Sequence, residues 1–347
     1  MSRVGMWIHV ALCAAALAFA WTSAHQVAEK QGGPSSVTLL AAAAGDVVGV
    51  SYRWDKGSTV TTVSGTGAAR HALVKVDREL PAKKPAKTDA KDGVDPKAGA
   101  EAEAAAVPAA IAALPERETG TIPGGKTVLA AITGLEPFKT KRSLGVVDDA
   151  RLEAMGLKNP LRSLEVKTAS GQSLVLEIGE ASYGAQGRYA RVKGQPEVHL
   201  IDTAIVTGLE GGIDALLEKR ALTAELETIS GYSVVAGAKS AAFTHVDREQ
   251  VSTRFFAIDG VKKEAAGKLM TTLRNLRGTK LANADASTAA SAVVKVVVDT
   301  TGGPVTIEMV EGGAGEGNLL RAGGFVYEIT ATQARELQDD VDAAVAE

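Results

Sequence analysis

Hydrophobic and polar positions alternate along this chain in a pattern that is written twice. From Asp46 to Asp77 the alternation predicts paired strands, the last running through Ala69-Arg70-His71-Ala72-Leu73-Val74-Lys75-Val76. From Glu227 to Asp259 the pattern returns and ends in Ser252-Thr253-Arg254-Phe255-Phe256-Ala257-Ile258. A helical stretch follows each run. Val128, Ile132 and Leu135 keep helical spacing in the first copy, and Val261, Ala265, Leu269, Leu273 and Leu276 in the second. Asp148 predicts the cap of a short helix carrying Leu152 and Met155, with Gly156 as its stop. Strands at Leu164–Lys167 and Leu174–Ile178 then flank Ser170-Gly171, and strands at Val294–Asp299 and Val305–Val310 flank Thr301-Gly302-Gly303-Pro304. Tyr189–Val192 and Glu197–Ile201 correspond to Leu320–Arg321 and Phe325–Ile329. Helices at Thr203–Leu217 and Ala331–Val345 close the copies, and Thr330 with Gln333 has capping-box spacing.

The register supports duplication. Asp46 aligns with Glu227 and Val198 with Val326, and the two offsets differ by about the length of a Pro/Ala-rich stretch present only in the first copy. That stretch, Pro81 to about Ile122, has too few large apolar residues for a core of its own and reads as a disordered insertion. The expected architecture is α+β: two similar lobes from an internal duplication, each an antiparallel sheet with packed helices, preceded by an N-terminal transmembrane or signal helix. The boundaries are 1–24 for the anchor or signal peptide, 25–36 for a spacer, 37–222 for the first lobe with the insertion 81–122, and 223–347 for the second lobe.

The address lies in the first residues. Arg3 precedes the apolar stretch Val4–Ala24, with Trp7 and Trp21 near its ends. Its length is close to the ~20 residues a spanning helix needs, and the aromatics suit two interfaces. The reading is a single-pass inner-membrane anchor with the body in the periplasm. The alternative is a signal peptide cleaved near Ala18-Phe19-Ala20 or Thr22-Ser23-Ala24, releasing the body to the periplasm. The lone cysteine, Cys13, lies inside this stretch, so the body holds no disulfide. Leu12 is too large to precede a lipidated cysteine.

Composition excludes some partners. The balance of 38 basic to 41 acidic residues, net −3, gives no cationic surplus for nucleic acid. Aromatics at 4% leave little for base stacking.

The sharpest motif is Gly120-Thr121-Ile122-Pro123-Gly124-Gly125-Lys126-Thr127, a full match to the phosphate-loop pattern. Such a loop wraps backbone N–H groups around phosphates at a helix N-terminus. Asp202 and Asp299 follow strands and offer the metal-binding partner. Against this, low-complexity sequence precedes the motif, and the second copy carries Asp259-Gly260-Val261-Lys262-Lys263 in its place. The repeat also puts Asp299 in a hairpin turn and Asp202 at a helix cap. A glycine-rich helix start is the stronger reading. Gly312–Gly317 reads as a hairpin loop. His9, His25, His71, His199 and His245 never fall at i, i+3 or i, i+4, so no metal set emerges. His71 and His199 read as strand residues on a polar or half-buried face. Asp148-Asp149 and Asp339-Asp340 are read as surface or helix-start pairs. No catalytic, cofactor or metal residue is assigned, and the chain reads as a non-enzyme.

One series of segments carries a resemblance. It comprises Leu152–Pro160, Leu174-Val175-Leu176-Glu177-Ile178-Gly179, Arg188-Tyr189-Ala190-Arg191-Val192, Glu197–Ile201 and Leu217-Glu218-Lys219-Arg220-Ala221-Leu222. From about Thr127 to Leu276 the chain resembles the domain of unknown function 4340 family. These are uncharacterised bacterial envelope proteins, often encoded beside gliding-motility-type ABC transporters. The resemblance implies a membrane-tethered extracytoplasmic accessory protein and supplies no catalytic residues to carry over. The resulting expectation is a non-enzymatic accessory or scaffold protein with an envelope or ABC-transporter partner. The alternative is a periplasmic ligand-binding protein that uses a cleft between its lobes.

Overall fold

The computed structural model describes residues 36–67, 70–80, 115–183, 186–282, 292–310 and 317–346. Val4–Ala24, the spacer up to residue 35, the insertion up to residue 114 and most of Gly312–Gly317 lie outside the described residues. Among the described residues no helix is long and apolar enough to cross a membrane.

The alternating stretches become two nine-stranded antiparallel sheets. The first contains β2 (Val47–Trp54), β3 (Gly57–Ser64), β4 (His71–Glu79), β5 (Arg117–Gly124), β7 (Arg142–Val146), β8 (Arg162–Thr168), β9 (Ser173–Ala181), β10 (Arg188–Val192) and β11 (Glu197–Ile201). Their spatial order is β5-β4-β3-β2-β8-β9-β10-β11-β7. A separate short pair joins β1 (Thr38–Leu40) to β6 (Phe138–Lys139). The second sheet contains β12 (Ile229–Ala236), β13 (Lys239–Val246), β14 (Phe255–Ile258), β15 (Val261–Lys262), β16 (Lys280–Leu281), β17 (Ala292–Thr300), β18 (Gly303–Val310), β19 (Asn318–Ala322) and β20 (Phe325–Ile329). Its order is β15-β14-β13-β12-β17-β18-β19-β20-β16.

The order is the same in both sheets, strand for strand. Details repeat as well. The β2–β8 ladder shifts register between Val47 and Gly49, and the β12–β17 ladder between Ile229 and Gly231. Glu177 on β9 faces Arg191 on β10 at 2.6 Å, and Glu308 on β18 faces Arg321 on β19 at 3.4 Å. Asp202 and Thr330, each just after the last strand of its sheet, both cap the helix that follows.

Helices cover one face of each sheet. On the first lie α1 (Lys126–Thr133), α3 (Thr203–Thr207) and α4 (Ile213–Leu216), while α2 (Asp149–Ala154) sits between β7 and β8 in sequence. On the second lie α5 (Glu264–Asn275) and α6 (Ala331–Ala346). Val128, Ile132 and Leu135 are fully buried, as are Leu269 and Leu273. A single apolar cluster runs from one lobe into the other through Leu216, Leu217, Ala221 and Leu222. Burial of these side chains, at roughly 25 cal/mol per Å² of apolar surface, is the main source of stability.

Several expectations held and several need correction. Asp148 accepts from Arg151 N–H, Gly156 takes φ +69°, and Thr330 and Gln333 exchange the capping-box bonds. The stretch Thr203–Leu217 is two short helices, because Gly208, Gly211 and Gly212 interrupt it and a Cβ at Gly212 would collide with the Arg78 guanidinium. Val261 lies on β15 and is exposed, so α5 starts later than the spacing suggested. The end of the expected insertion is also corrected. Arg117–Gly124 forms β5, pairs with β4 along its whole length, and buries Ile122 completely. His199 is buried, not half-exposed. Burial disfavours its charged form and lowers its pKa, against a smaller opposing effect of Glu197.

Candidate functional site

The phosphate-loop match folds as strand and seam. Gly120–Gly124 are ladder residues of β5 opposite Val76 through Ala72, so their backbone groups serve the sheet. Gly124 bridges to Leu217, and Gly125 donates its N–H to Leu216 O at 2.7 Å. A Cβ at Gly125 would lie 2.9 Å from Leu217 O, so the glycine admits a passing backbone. Lys126 and Thr127 begin α1 and are exposed. Asp202 caps α3 by accepting from Ala204 N–H at 2.9 Å. Asp299 is a ladder residue of β17 opposite Pro304, one residue before the strand ends and not in the hairpin turn where the repeat put it, and it stands in the other lobe. The structure therefore does not bring the motif and its two aspartates together.

The passing backbone is the Leu217–Leu222 segment, and it joins the lobes. Glu218 N–H donates to Pro123 O at 2.8 Å in the first lobe. Ala221 N–H donates to Leu276 O, and Gly278 N–H donates to Lys219 O at 2.7 Å, both across to the second lobe. Arg220 pairs with Glu218 and bridges to Arg277. Burial alone would raise the Glu218 carboxyl, but hydrogen bonds from Arg220 outweigh it and hold the group below its ordinary value. Tyr327 packs on Gly278 and is pushed up to about 12, by burial first and Glu218 second.

The first lobe also holds a charged cluster on its helical face. Tyr52 Oη donates to Glu210 at 2.5 Å, while Arg162 and Arg188 stand 3.6 and 3.9 Å from the same carboxylate. Burial, then Glu210, pushes the Tyr52 hydroxyl pKa up. Arg162 Nε and Arg188 Nε are nevertheless buried without a hydrogen-bond partner, so the cluster is paired by charge more than by hydrogen bonds.

An open cavity occurs in the second lobe. Between α5 and the β13–β14 hairpin lies a pocket of about 380 Å³. That is the lower part of the range for small-molecule sites, ~300–1,000 Å³. Leu226, Phe256 and Met270 supply apolar walls. Arg254, Lys262, Lys263 and Arg274 supply four cations, against one lining acid, Glu264. Glu227 holds Arg254 at 2.7 Å, Glu225 approaches Arg274 at 3.8 Å and Glu264 stands 3.7 Å from Lys262, so these cations have carboxylate partners. Gly267 lies in the middle of α5 with nothing within 4 Å of where a Cβ would stand.

His245 lies at the floor, shared with an adjoining pocket under the 247–250 loop. It is 6% exposed and stacks on Phe256 with centroids 4.4 Å apart. Its Nδ1 lies 2.9 Å from Ile229 O. A carbonyl only accepts, so Nδ1 carries the proton and Nε2 presents a lone pair. Nε2 is buried and has no hydrogen-bond partner. Burial chiefly, then nearby Arg254 and Arg248, lower the His245 pKa and keep the ring neutral, outweighing the Ile229 hydrogen bond.

Sequence reasoning did not find this pocket. Its lining comes from the 3₁₀ turn at Leu226–Thr228, three strands with the turn between two of them, and one helix, with no local motif. Two signals were present: Phe255-Phe256 in an aromatic-poor chain, and a glycine amid the helical spacing of α5. Both pockets lie inside the second lobe and not in a cleft between lobes.

No curated protein and no solved structure matches the chain. A family model, the domain of unknown function DUF4340, matches residues 127–295. The match begins at the start of α1, crosses the whole joint between lobes, and ends in the first residues of β17. Residues 127–295 belong to the DUF4340 family.

Proposed function

We propose that this protein is a non-enzymatic, extracytoplasmic accessory or scaffold protein. It is held at the inner membrane by Val4–Ala24 and presents its two lobes to an envelope partner, a component of an ABC transporter being the leading candidate. One observation carries the reading. The family-like segment Leu217–Leu222 serves the joint between lobes, through bonds to Pro123, Leu276 and Gly278. A segment used to fix two surfaces relative to each other suits a part that docks. The test is recovery of partners from membranes with the full chain and with a chain lacking Val4–Ala24. The full chain should retain a transporter permease or ATPase. Recovery of no envelope protein by either form refutes the proposal.

The architecture has a proposed origin. The two lobes descend from an internal duplication, and the second never acquired the stretch between β4 and β5, from Pro81 to about Glu116. Matching strand order, matching register shifts and the Glu177–Arg191 and Glu308–Arg321 pairs support this. Superposing the lobes of a crystal structure should align β2–β5 and β8–β11 on β12–β15 and β17–β20. Opposite handedness in any crossover refutes it.

A second reading is a ligand-binding protein, favoured by the pocket over His245. It replaces the interlobe cleft with a site inside one lobe.

A further inference from the structure

We propose that the pocket between α5 and the β13–β14 hairpin binds a neutral small molecule, an apolar ring system carrying one O–H or N–H donor. The proposal rests on the ligand-binding reading and deepens it by naming the ligand class.

The backbone makes the space. β14 and β15 have four and two residues, where β4 and β5, at the same places in the other sheet, have nine and eight. The short strands leave one stripe of α5 uncovered. It comprises Lys263, Glu264, Gly267, Met270, Thr271 and Arg274, spaced as residues of a single helix face are. Gly267 lies at the centre of that stripe. A mid-helix glycine destabilises relative to alanine. Here its missing side chain opens into the pocket, since no atom lies within 4 Å of a Cβ at that position. The position trades helix stability for volume.

The lining sets the ligand class. Leu226, Phe256 and Met270 form apolar walls that would cover a ring, and Met adapts to varied shapes. The rim is balanced in charge. Glu227 pairs with Arg254, Glu225 with Arg274 and Glu264 with Lys262, and Lys263 has an interaction of its own. A charged ligand would give up its hydration without gaining a free counter-charge, whereas a neutral one gives up little. The floor selects a donor. His245 is 6% exposed, its Nδ1–H is committed to Ile229 O, and its Nε2 lone pair is buried without a hydrogen-bond partner. A buried acceptor left unpaired is costly, so a ligand O–H or N–H gains by reaching it.

The test titrates the full chain in a calorimeter with three related probes. Indole carries fused rings and an N–H donor. Benzothiophene keeps the shape but lacks the donor, and indole-3-carboxylate keeps the donor but adds an anion. Indole should bind at one saturable site, and benzothiophene roughly tenfold more weakly, the scale of one hydrogen bond. The carboxylate should bind no better than indole. Gly267→Leu should abolish binding by filling the space, while its thermal unfolding confirms a folded chain. His245→Phe should reduce indole to the affinity of benzothiophene and leave benzothiophene unchanged. The comparison of probes needs no variant, so it decides the ligand class even where a substitution unfolds the chain. Equal affinity for indole and benzothiophene, or tighter binding of the carboxylate, overturns that class and leaves the ligand-binding reading standing. Binding of no probe, or binding untouched by Gly267→Leu, overturns both.

Discussion

Glu136 offers the clearest test of how the first lobe is held. It follows α1 and precedes the short strand β6, and its side chain is 1% exposed. Arg70 grips it with two bonds of 2.6 Å, while Val47 and Gly45 donate backbone N–H groups at 2.7 and 3.1 Å. Arg70 also reaches Val47 O at 2.9 Å, so one ion pair ties the start of β4, the start of β2 and the end of the α1 corner. Glu136→Ala would leave a buried guanidinium unpaired and two N–H groups without acceptors. Breaking one side of a buried pair costs roughly 3–5 kcal/mol. Urea unfolding should show a loss of at least about 3 kcal/mol with unchanged slope. Arg70→Met combined with Glu136→Leu should lose less than Glu136→Ala alone, because no charge is stranded. The pH dependence has a definite sign. Burial alone would raise the Glu136 pKa, but the Arg70 and backbone bonds outweigh it and hold it below its ordinary 4.5. In acid the unfolded chain therefore takes up this proton before the native state does. The contribution is complete above the unfolded value and is lost as pH falls toward the folded one. Glu136→Gln should flatten that part of the acid limb. A loss under about 1 kcal/mol for Glu136→Ala, or an unaltered acid limb for Glu136→Gln, would refute the reasoning.

Other outcomes follow from single sites. Gly267→Ala should stabilise the chain by about 0.5–1 kcal/mol in the same unfolding assay, since the helix gains and nothing clashes. Asp340, expected on a surface or at a helix start, is instead buried within α6, where it accepts from Thr272 at 2.6 Å and from Lys268 at 2.8 Å on α5 and ties the two helices. Asp340→Ala should cost about 1–3 kcal/mol by leaving the Thr272 hydroxyl without its acceptor, read by thermal unfolding. Lys126→Ala should change stability by less than about 0.5 kcal/mol, because the side chain is exposed. Equilibrium dialysis with ATP and Mg²⁺ should show no difference between Lys126→Ala and the parent, and a lost binding signal would restore the phosphate-loop reading.

The strands were legible because one face of each sheet is buried. The alternation along His71–Glu79 and Ala292–Thr300 reads directly as inward and outward positions. The caps at Asp148, Asp202 and Thr330 were legible because capping chemistry is local. β5 was not. Its residues Arg-Glu-Thr-Gly-Thr-Ile-Pro-Gly have weak strand propensity, and only pairing along β4 makes them a strand. The division of Thr203–Leu217 was missed because Ile205, Val206, Leu209 and Leu216 keep an apolar spacing across the glycines that break the helix. The pocket was hidden for another reason: its cations and its histidine converge only in three dimensions.

The Leu217–Leu222 joint bears on how the molecule could move. Hinged ligand traps open because few contacts cross the pivot. Here backbone hydrogen bonds run from Pro123 and Leu216 through the joint to Leu276 and Gly278. Opening such a pivot would break several at once. Leu276 directly follows α5, the helix that carries Gly267, Met270 and Arg274. The joint is thus a strut that ties α5 to β5 through backbone hydrogen bonds, not a free pivot.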